Sequence, residues 1–201
     1  MIDKNEHYAV FGQTRSGKTT STYTMLHKQK KSVLFFNTQQ IIIPQYVTVD
    51  KKTPIKTFLR LIQNGKKINY VPDRDTRQYE LPALINLIYG FAANYKIDLY
   101  LVIDEIHLYE KKALKAAEEV ATTGIRWGIH LIAISQRPAK VSNTILTQCT
   151  SFLFFKISIM ERQYLESYRI PFEEVYNKLK EPYQYVIFDS YKVSDPKKIN
   201  I

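Results

Sequence analysis

Residues Gly12 to Thr20 read GQTRSGKTT. Two glycines bracket four residues, and a lysine and two threonines follow. Glycine admits backbone angles that point successive N–H groups into one concavity. HYAVFG, overlapping the start of the stretch, is rich in aromatic and β-branched residues and predicts a strand. KTTSTYTMLHKQK, which begins at Lys18, predicts a helix. A strand, a glycine-bracketed turn and a helix N-terminus in that order make a phosphate-binding loop, because the positive end of the helix dipole lies beneath the anion. Gly12, Gln13, Thr14, Arg15, Ser16, Gly17, Lys18, Thr19 and Thr20 are therefore expected to hold the phosphates of a nucleotide. Lys18 is placed to reach the β- and γ-phosphates, and Thr19 to bring its hydroxyl to Mg²⁺.

Such a loop needs a scaffold, and short apolar runs alternate along the chain with longer helical stretches. SVLFFNT, DLYLVIDEIHLY, IHLIAISQ and SFLFFKIS read as buried strands, since parallel strands covered on both faces are apolar throughout. KINYVPD and YQYVIFDSYKV predict two more strands. TPIKTFLRLIQNG carries helix punctuation, with Pro54 near the first turn and Gly65 at the end. LPALINLIYGFAANYK, EKKALKAAEEVATTG, MERQYLESYRI and PFEEVYNKLK also predict helices. The alternation implies βαβ units, hence an α/β fold with a mostly parallel central sheet flanked by helices. Sheets of this kind bind ligands at the carboxyl ends of their strands. No linker divides the 201 residues, so one domain is expected over 1–201. TQQIIIPQYVTVDKKTP is its least regular part, and residues 193–201 read as a loose basic tail.

Two strand ends carry chemistry. LYLVIDEIH leads to Asp104 and Glu105. An aspartate there can hold the water shell of Mg²⁺, and a glutamate directly after it can act as general base on the water that attacks the γ-phosphate. IHLIAISQRP leads to Ser135, Gln136 and Arg137. A glutamine in that place can touch both the γ-phosphate and the attacking water.

GQTRSGKT, LVIDE and GIHLIAISQRP, in this order and spacing, resemble the FtsK–HerA superfamily of DNA-pumping ATPases. The likeness spans a motor core of about residues 7–157, and the GIHLIAISQRP strand is its family-specific part. It implies a RecA-like (ASCE) P-loop NTPase fold with an extra strand between the strands of the two Walker motifs. It also implies ATP and Mg²⁺ as cofactors, with Glu105, Lys18 and Gln136 catalytic and Thr19 and Asp104 on the metal. C-terminal helices and a last strand over 158–192 follow that core. A bare motor of this size resembles the genome-packaging ATPases of double-jelly-roll viruses, among them those of turreted icosahedral viruses that infect Sulfolobus. What this implies is a translocase that drives double-stranded DNA into a preformed capsid. Its partners are then the DNA, neighbouring subunits in a ring of five or six, and viral capsid vertex proteins, with the host cytoplasm or the virion vertex as its place.

One residue departs from that pattern. Most members carry small residues where this chain has Arg15. Charge on the γ-phosphoryl oxygens must be met in the transition state, and an arginine can do this within its own subunit or from the next. Arg15 is the candidate for the first route. Arg126, in TGIRWGIH, is near the place where relatives carry an arginine of the second kind, and Arg137 is the third choice.

Composition bounds the partners. Lysines and arginines number 29 against 19 aspartates and glutamates, a formal charge of +10. Such a balance suits a polyanion, and sequence-independent DNA binding needs only phosphate contacts. Lys111 and Lys112, just beyond the VIDE strand, are the first candidates, with Lys51 and Lys52. The single cysteine, Cys149, excludes an internal disulfide and fits a reducing compartment. No apolar run reaches the ~18 residues of a membrane span, and MIDKNEHYAV lacks the apolar core of a signal peptide. A cellular HerA- or FtsK-type translocase or helicase is the alternative within the superfamily. A nucleotide switch needs a guanine-reading N-K-x-D, and NKLK at Asn177 to Lys180 lacks the aspartate. A small-molecule kinase needs neither Glu105 beside Asp104 nor the SQRP strand end.

Overall fold

The computed structural model describes Ile2, residues 6–189 and residues 191–198. β1 (His7–Phe11) enters the phosphate loop, which opens α1 (Lys18–His27). Then come β2 (Ser32–Phe36), β3 (Val47–Val49), α2 (Ile55–Gln63), β4 (Lys67–Tyr70) and α3 (Arg77–Ala92). β5 (Leu99–Ile103), α4 (Lys111–Thr123), β6 (Ile129–Ser135), α5 (Asn143–Gln148) and β7 (Cys149–Phe154) follow. The C-terminal part holds α6 (Arg162–Ser167), α7 (Phe172–Lys178), β8 (Gln184–Asp189), β9 (Lys192–Val193) and β10 (Lys197–Lys198).

The strands form one sheet in the order β10-β8-β7-β1-β6-β5-β2-β4-β3, with β9 also on β8. Pairings among β1 to β7 are parallel. Those of β8 with β7, β9 and β10 are antiparallel. β6 lies between β1 and β5, which is the inserted strand of the RecA-like fold. Residues after Ser135 therefore emerge between the phosphate loop and Glu105.

Strand alternation sorts the apolar side chains to two faces. Leu34 and Phe36, Leu101 and Ile103, and Leu131 and Ala133 pack with residues of α2 to α7. Val33 and Phe35, Tyr100 and Val102, and Ile132 and Ile134 pack with Met25 and Leu26 of α1 and with Ile43 and Tyr46. Each such side chain contributes about 1.5–3 kcal/mol on full burial. A one-residue slip would exchange the two faces, so the two-sided core fixes the register of the strands that carry the site.

Several elements differ from the sequence expectation. α3 starts at Arg77 rather than Leu81 and keeps Pro82 inside it. Thr76 accounts for the earlier start: its carbonyl accepts from Glu80 N at 3.0 Å and its hydroxyl bonds the Glu80 carboxylate. β3 lies within the stretch read as least regular, and α5 was not foreseen. The tail expected to be loose pairs in part, since β8 offers its backbone groups to β9 and β10. Residues 199–201 of that tail, Ser190, and Met1 with residues 3–5 of the stretch read for a signal peptide lie outside the described residues. Among the described residues no helix is long and apolar enough to cross a membrane.

Candidate active site

The loop from Gly12 to Gly17 is tied down at both ends. Gly12 N donates to Ser135 O at 3.3 Å, Gln13 N to Lys156 O at 2.7 Å, and Ser16 N to Gln13 O at 3.2 Å. A β-carbon on Gly12 would fall 2.6 Å from Ser16 Oγ and 2.7 Å from Phe155 Cβ, so only glycine fits there. Gly17 turns the chain into α1 at a left-handed φ of 91°. Arg15 is also left-handed, at φ 62°. Gln13, Thr14 and Arg15 are exposed, whereas Ser16 and Lys18 are buried.

Three donors meet on one carboxylate oxygen. Lys18 Nζ lies 3.3 Å from Glu105 Oε1. Gln136 Nε2 donates to the same oxygen at 2.8 Å, and Gln39 Nε2 at 2.6 Å. The Thr14 hydroxyl donates to Gln136 Oε1, so Gln136 bridges the phosphate loop and Glu105. Thr19 Oγ1 donates to Asp104 Oδ1 at 3.3 Å. Neighbouring residues of an extended strand point to opposite faces. Asp104 and Glu105 share a site because Glu105 takes a left-handed φ of 50°, a conformation that costs a non-glycine residue about 1–3 kcal/mol.

Electrostatics mark where ligands belong. Asp104 is fully buried and Glu105 nearly so. Asp104 Oδ2 and Glu105 Oε2 accept no hydrogen bond, and Glu105 Oε2 lies 3.3 Å from His107 Nδ1. Burial, helped by the Glu105 charge, pushes the Asp104 carboxyl up to about 7. Burial also lowers His107, against the pull of Glu105, so its ring favours the neutral form. A divalent cation would bring Asp104 back to the carboxylate. The orphaned Asp104 Oδ2 beside the Thr19 hydroxyl fits Mg²⁺, which takes few protein oxygens and fills its octahedron with water and phosphate.

Arg15, Lys18, Thr19 and Thr20 line a cavity of about 600 Å³ over the loop. Arg126 lies elsewhere, in the turn before β6. The seven residues of β6 span roughly 23 Å, so Arg126 is at the opposite end of the strands from its own phosphate loop. Its guanidinium sits 5.9 Å over the ring of exposed Trp127. Arg137 is exposed directly after Gln136. Lys111 and Lys112 are exposed at the start of α4, which follows the carboxyl end of β5. Lys51 is engaged by Asp73 at 2.8 Å, which lessens its standing as a DNA contact, while Lys52 is exposed beside it. Gln39 was missed by the sequence reading. Its signal was the same as that of Gln136: polar residues directly after an apolar strand, here SVLFFNTQQ.

A phosphate loop after β1, a carboxylate pair after β5 and a glutamine after an inserted β6 define the fold of a RecA-like P-loop NTPase. Among solved structures the chain is similar to B204, the DNA-packaging ATPase from Sulfolobus turreted icosahedral virus, at 20% identity and a TM-score of 0.66, covering 99% of this chain and 100% of that one. It is similar also to the genome packaging NTPase B204 from Sulfolobus turreted icosahedral virus 2 in complex with AMPPCP, at 18% identity and a TM-score of 0.72, over 98% of this chain and 100% of the other. The bacterial conjugative coupling protein TrwBΔN70 matches at 11% identity and a TM-score of 0.61, over 92% and 82% of the two chains. No protein-family model matches the chain, and no curated protein matches its sequence.

Proposed function

We propose that the chain is an ATP-hydrolysing double-stranded DNA translocase that packages a viral genome into a preformed capsid. The observation that carries the hydrolysis is the meeting of Lys18, Gln136 and Gln39 on one oxygen of Glu105, beside the Thr19–Asp104 pair. Glu105 is the general base. Bound phosphate draws Lys18 off it, which leaves the carboxylate free to take a proton from water. Gln136 touches loop and base at once and so senses the γ-phosphate. Thr19 and Asp104 would hold Mg²⁺, which would offset the negative charge of the phosphates. Arg15 is placed to meet that charge from its own subunit, and Arg126 only from a neighbour.

The packaging role is supported by likeness over the whole length of two viral packaging ATPases. The +10 charge suits a DNA partner. A homo-oligomeric ring of five or six subunits would let some hold DNA while others cycle. Such a ring would dock on the capsid vertex proteins, in the host cytoplasm or on the virion. The likeness to a conjugative coupling protein favours a cellular-type translocase as the second reading. Phosphate release measured with and without double-stranded DNA is the test. DNA should stimulate it several-fold, and an unchanged rate would sink the translocase reading. Binding to empty capsids of a related virus, present or absent, separates packaging from a cellular role.

A further inference from the structure

We propose that Tyr183 is the side chain on which the base of the nucleotide stacks, which deepens the nucleotide reading above and rests on it. The topology puts Tyr183 there. β8 runs antiparallel to β7, with Val186 opposite Phe154. The residues just before β8 therefore return to the edge of the sheet where the phosphate loop lies. Phe155 N donates to Phe11 O at 2.8 Å, which holds that edge together. Tyr183 comes one residue ahead of β8, and it lines the same 600 Å³ cavity as Lys18, Thr19 and Thr20.

Its packing is tight against the loop and open elsewhere. A β-carbon on Gly17 would fall 2.8 Å from Tyr183 Cδ1, so the ring lies against the backbone of the phosphate loop. The residue is nonetheless 43% exposed. Among the described residues it makes no hydrogen bond through its hydroxyl and no ring contact. Tyr185, two residues on, is the opposite case: it is buried and stacks on Phe155 at 5.6 Å. Tyr185 thus has a packing role that Tyr183 lacks. Tyr183 also sits at a left-handed φ of 61°, the third position of the turn that Gln184 N closes onto Glu181 O at 3.4 Å. Ile41 gives the cavity a second apolar wall.

A nucleotide whose phosphates occupy the loop at Lys18 and Thr19 extends its base into this cavity, where an aromatic ring and an aliphatic side chain are available. Every base has a π-face, so stacking does not read which base is present. The ligand class is a nucleoside triphosphate, with its base held by stacking and not selected by this contact.

Calorimetric binding of AMPPCP and of inorganic tripolyphosphate, each with Mg²⁺, separates the base from the phosphates. Tyr183→Ala should weaken AMPPCP about ten- to a hundred-fold and leave tripolyphosphate within twofold, while Tyr183→Phe should bind both like the wild type. Tyr183→Trp gives a second reading that needs no loss of fold. Its fluorescence should be quenched by ATP and by GTP and not by tripolyphosphate. Equal weakening of both ligands in Tyr183→Ala would mean that the ring only shapes the loop, and no weakening of either would mean that the base lies elsewhere. Each result overturns the stacking role while wild-type binding of both ligands keeps the nucleotide reading. A wild type that binds neither ligand removes both.

Discussion

Lys18 Nζ and Glu105 Oε1 stand 3.3 Å apart with both side chains buried. The residue proposed to hold phosphate and the residue proposed to activate water thus neutralise each other in the free protein. Breaking a buried pair from one side leaves an unpaired charge and costs about 3–5 kcal/mol. Lys18→Ala should therefore lower the urea midpoint of the free protein as well as weaken ATP binding sharply. Lys18→Ala with Glu105→Gln should regain most of the stability and none of the binding. If Lys18→Ala unfolds at the wild-type midpoint, the pair does not exist in solution.

Glu105→Gln alone keeps the shape and loses the base. It should bind ATP and barely hydrolyse it. Gln136→Ala should leave the ATP dissociation constant nearly unchanged and lower kcat about 10²-fold, because the contact it loses serves the attacking water. Single-turnover phosphate release with binding measured in parallel decides this. A Glu105→Gln protein that turns over at the wild-type rate would reassign the base.

DNA binding should be indifferent to sequence and should weaken steeply with salt, because released counterions drive it. Lys111→Ala and Lys112→Ala should each lower the slope of log affinity against log salt by ~1. Lys51→Ala should change it less, since Asp73 already holds that ammonium. Affinity for two unrelated duplexes across a salt series gives all three slopes. A strong preference for one duplex, or a flat salt response, would contradict the reading.

Burial gives Asp104 a pH signature. Its carboxyl is raised to about 7 from an ordinary value of 3.8. Between these values the folded chain keeps a proton that the unfolded chain has lost, so this residue's contribution to stability falls as pH rises from about 4 to 7 and is level beyond. The full difference is on the order of 4 kcal/mol. His7 acts in the opposite sense, because burial lowers it to about 4 from 6.5 and stability then rises with pH across that range. Wild type must therefore be compared with Asp104→Asn. The variant should gain on the wild type from pH 4 to 7 in urea denaturation, and Mg²⁺ with AMPPCP should shrink the gap. A constant offset at all pH values would place Asp104 in contact with solvent.

Much of this site was legible in the sequence for a local reason. Gly12, Gly17 and Lys18 lie together in one short loop, so their spacing alone encodes the concavity. Asp104 and Gln136 each follow a mostly apolar strand, and parallel strands bring their carboxyl ends together whatever their order. Gln39 carried the same signal as Gln136, but which strand end it would meet was not legible, and Tyr183 was not legible at all. Each reaches the site through a pairing distant in sequence: Gln39 through β2 beside β5, and Tyr183 through the antiparallel return of β8. The early start of α3 depends on the Thr76–Glu80 contacts, which override the usual reading of Pro82 as a helix boundary. β10 is two lysines long and owes its existence to the free edge of β8, not to its own propensity.

The two arginines make opposite predictions because the sheet separates them. Arg15 lines the cavity over the loop, whereas Arg126 precedes β6 at the opposite end of the strands. Arg126 can therefore serve only the site of another subunit, and then hydrolysis must depend on neighbours. Lys18→Ala subunits bind ATP poorly but still carry Arg126. Arg126→Ala subunits bind ATP but lack that arginine. Mixed, they should regain phosphate release that neither shows alone, because some interfaces join an intact loop to an intact arginine. Mixing Lys18→Ala with Arg15→Ala subunits should give no such gain, since the damaged loop and the intact Arg15 then share one subunit. Losing an arginine of this kind costs ~10³-fold or more in rate, so rescue should stand well above background. Rescue of the Arg15→Ala mixture alone would place Arg15 at a neighbour's site, against its position in this fold. Wild-type rates in both single variants would move the role to Arg137, which follows Gln136 at the edge where the phosphates bind.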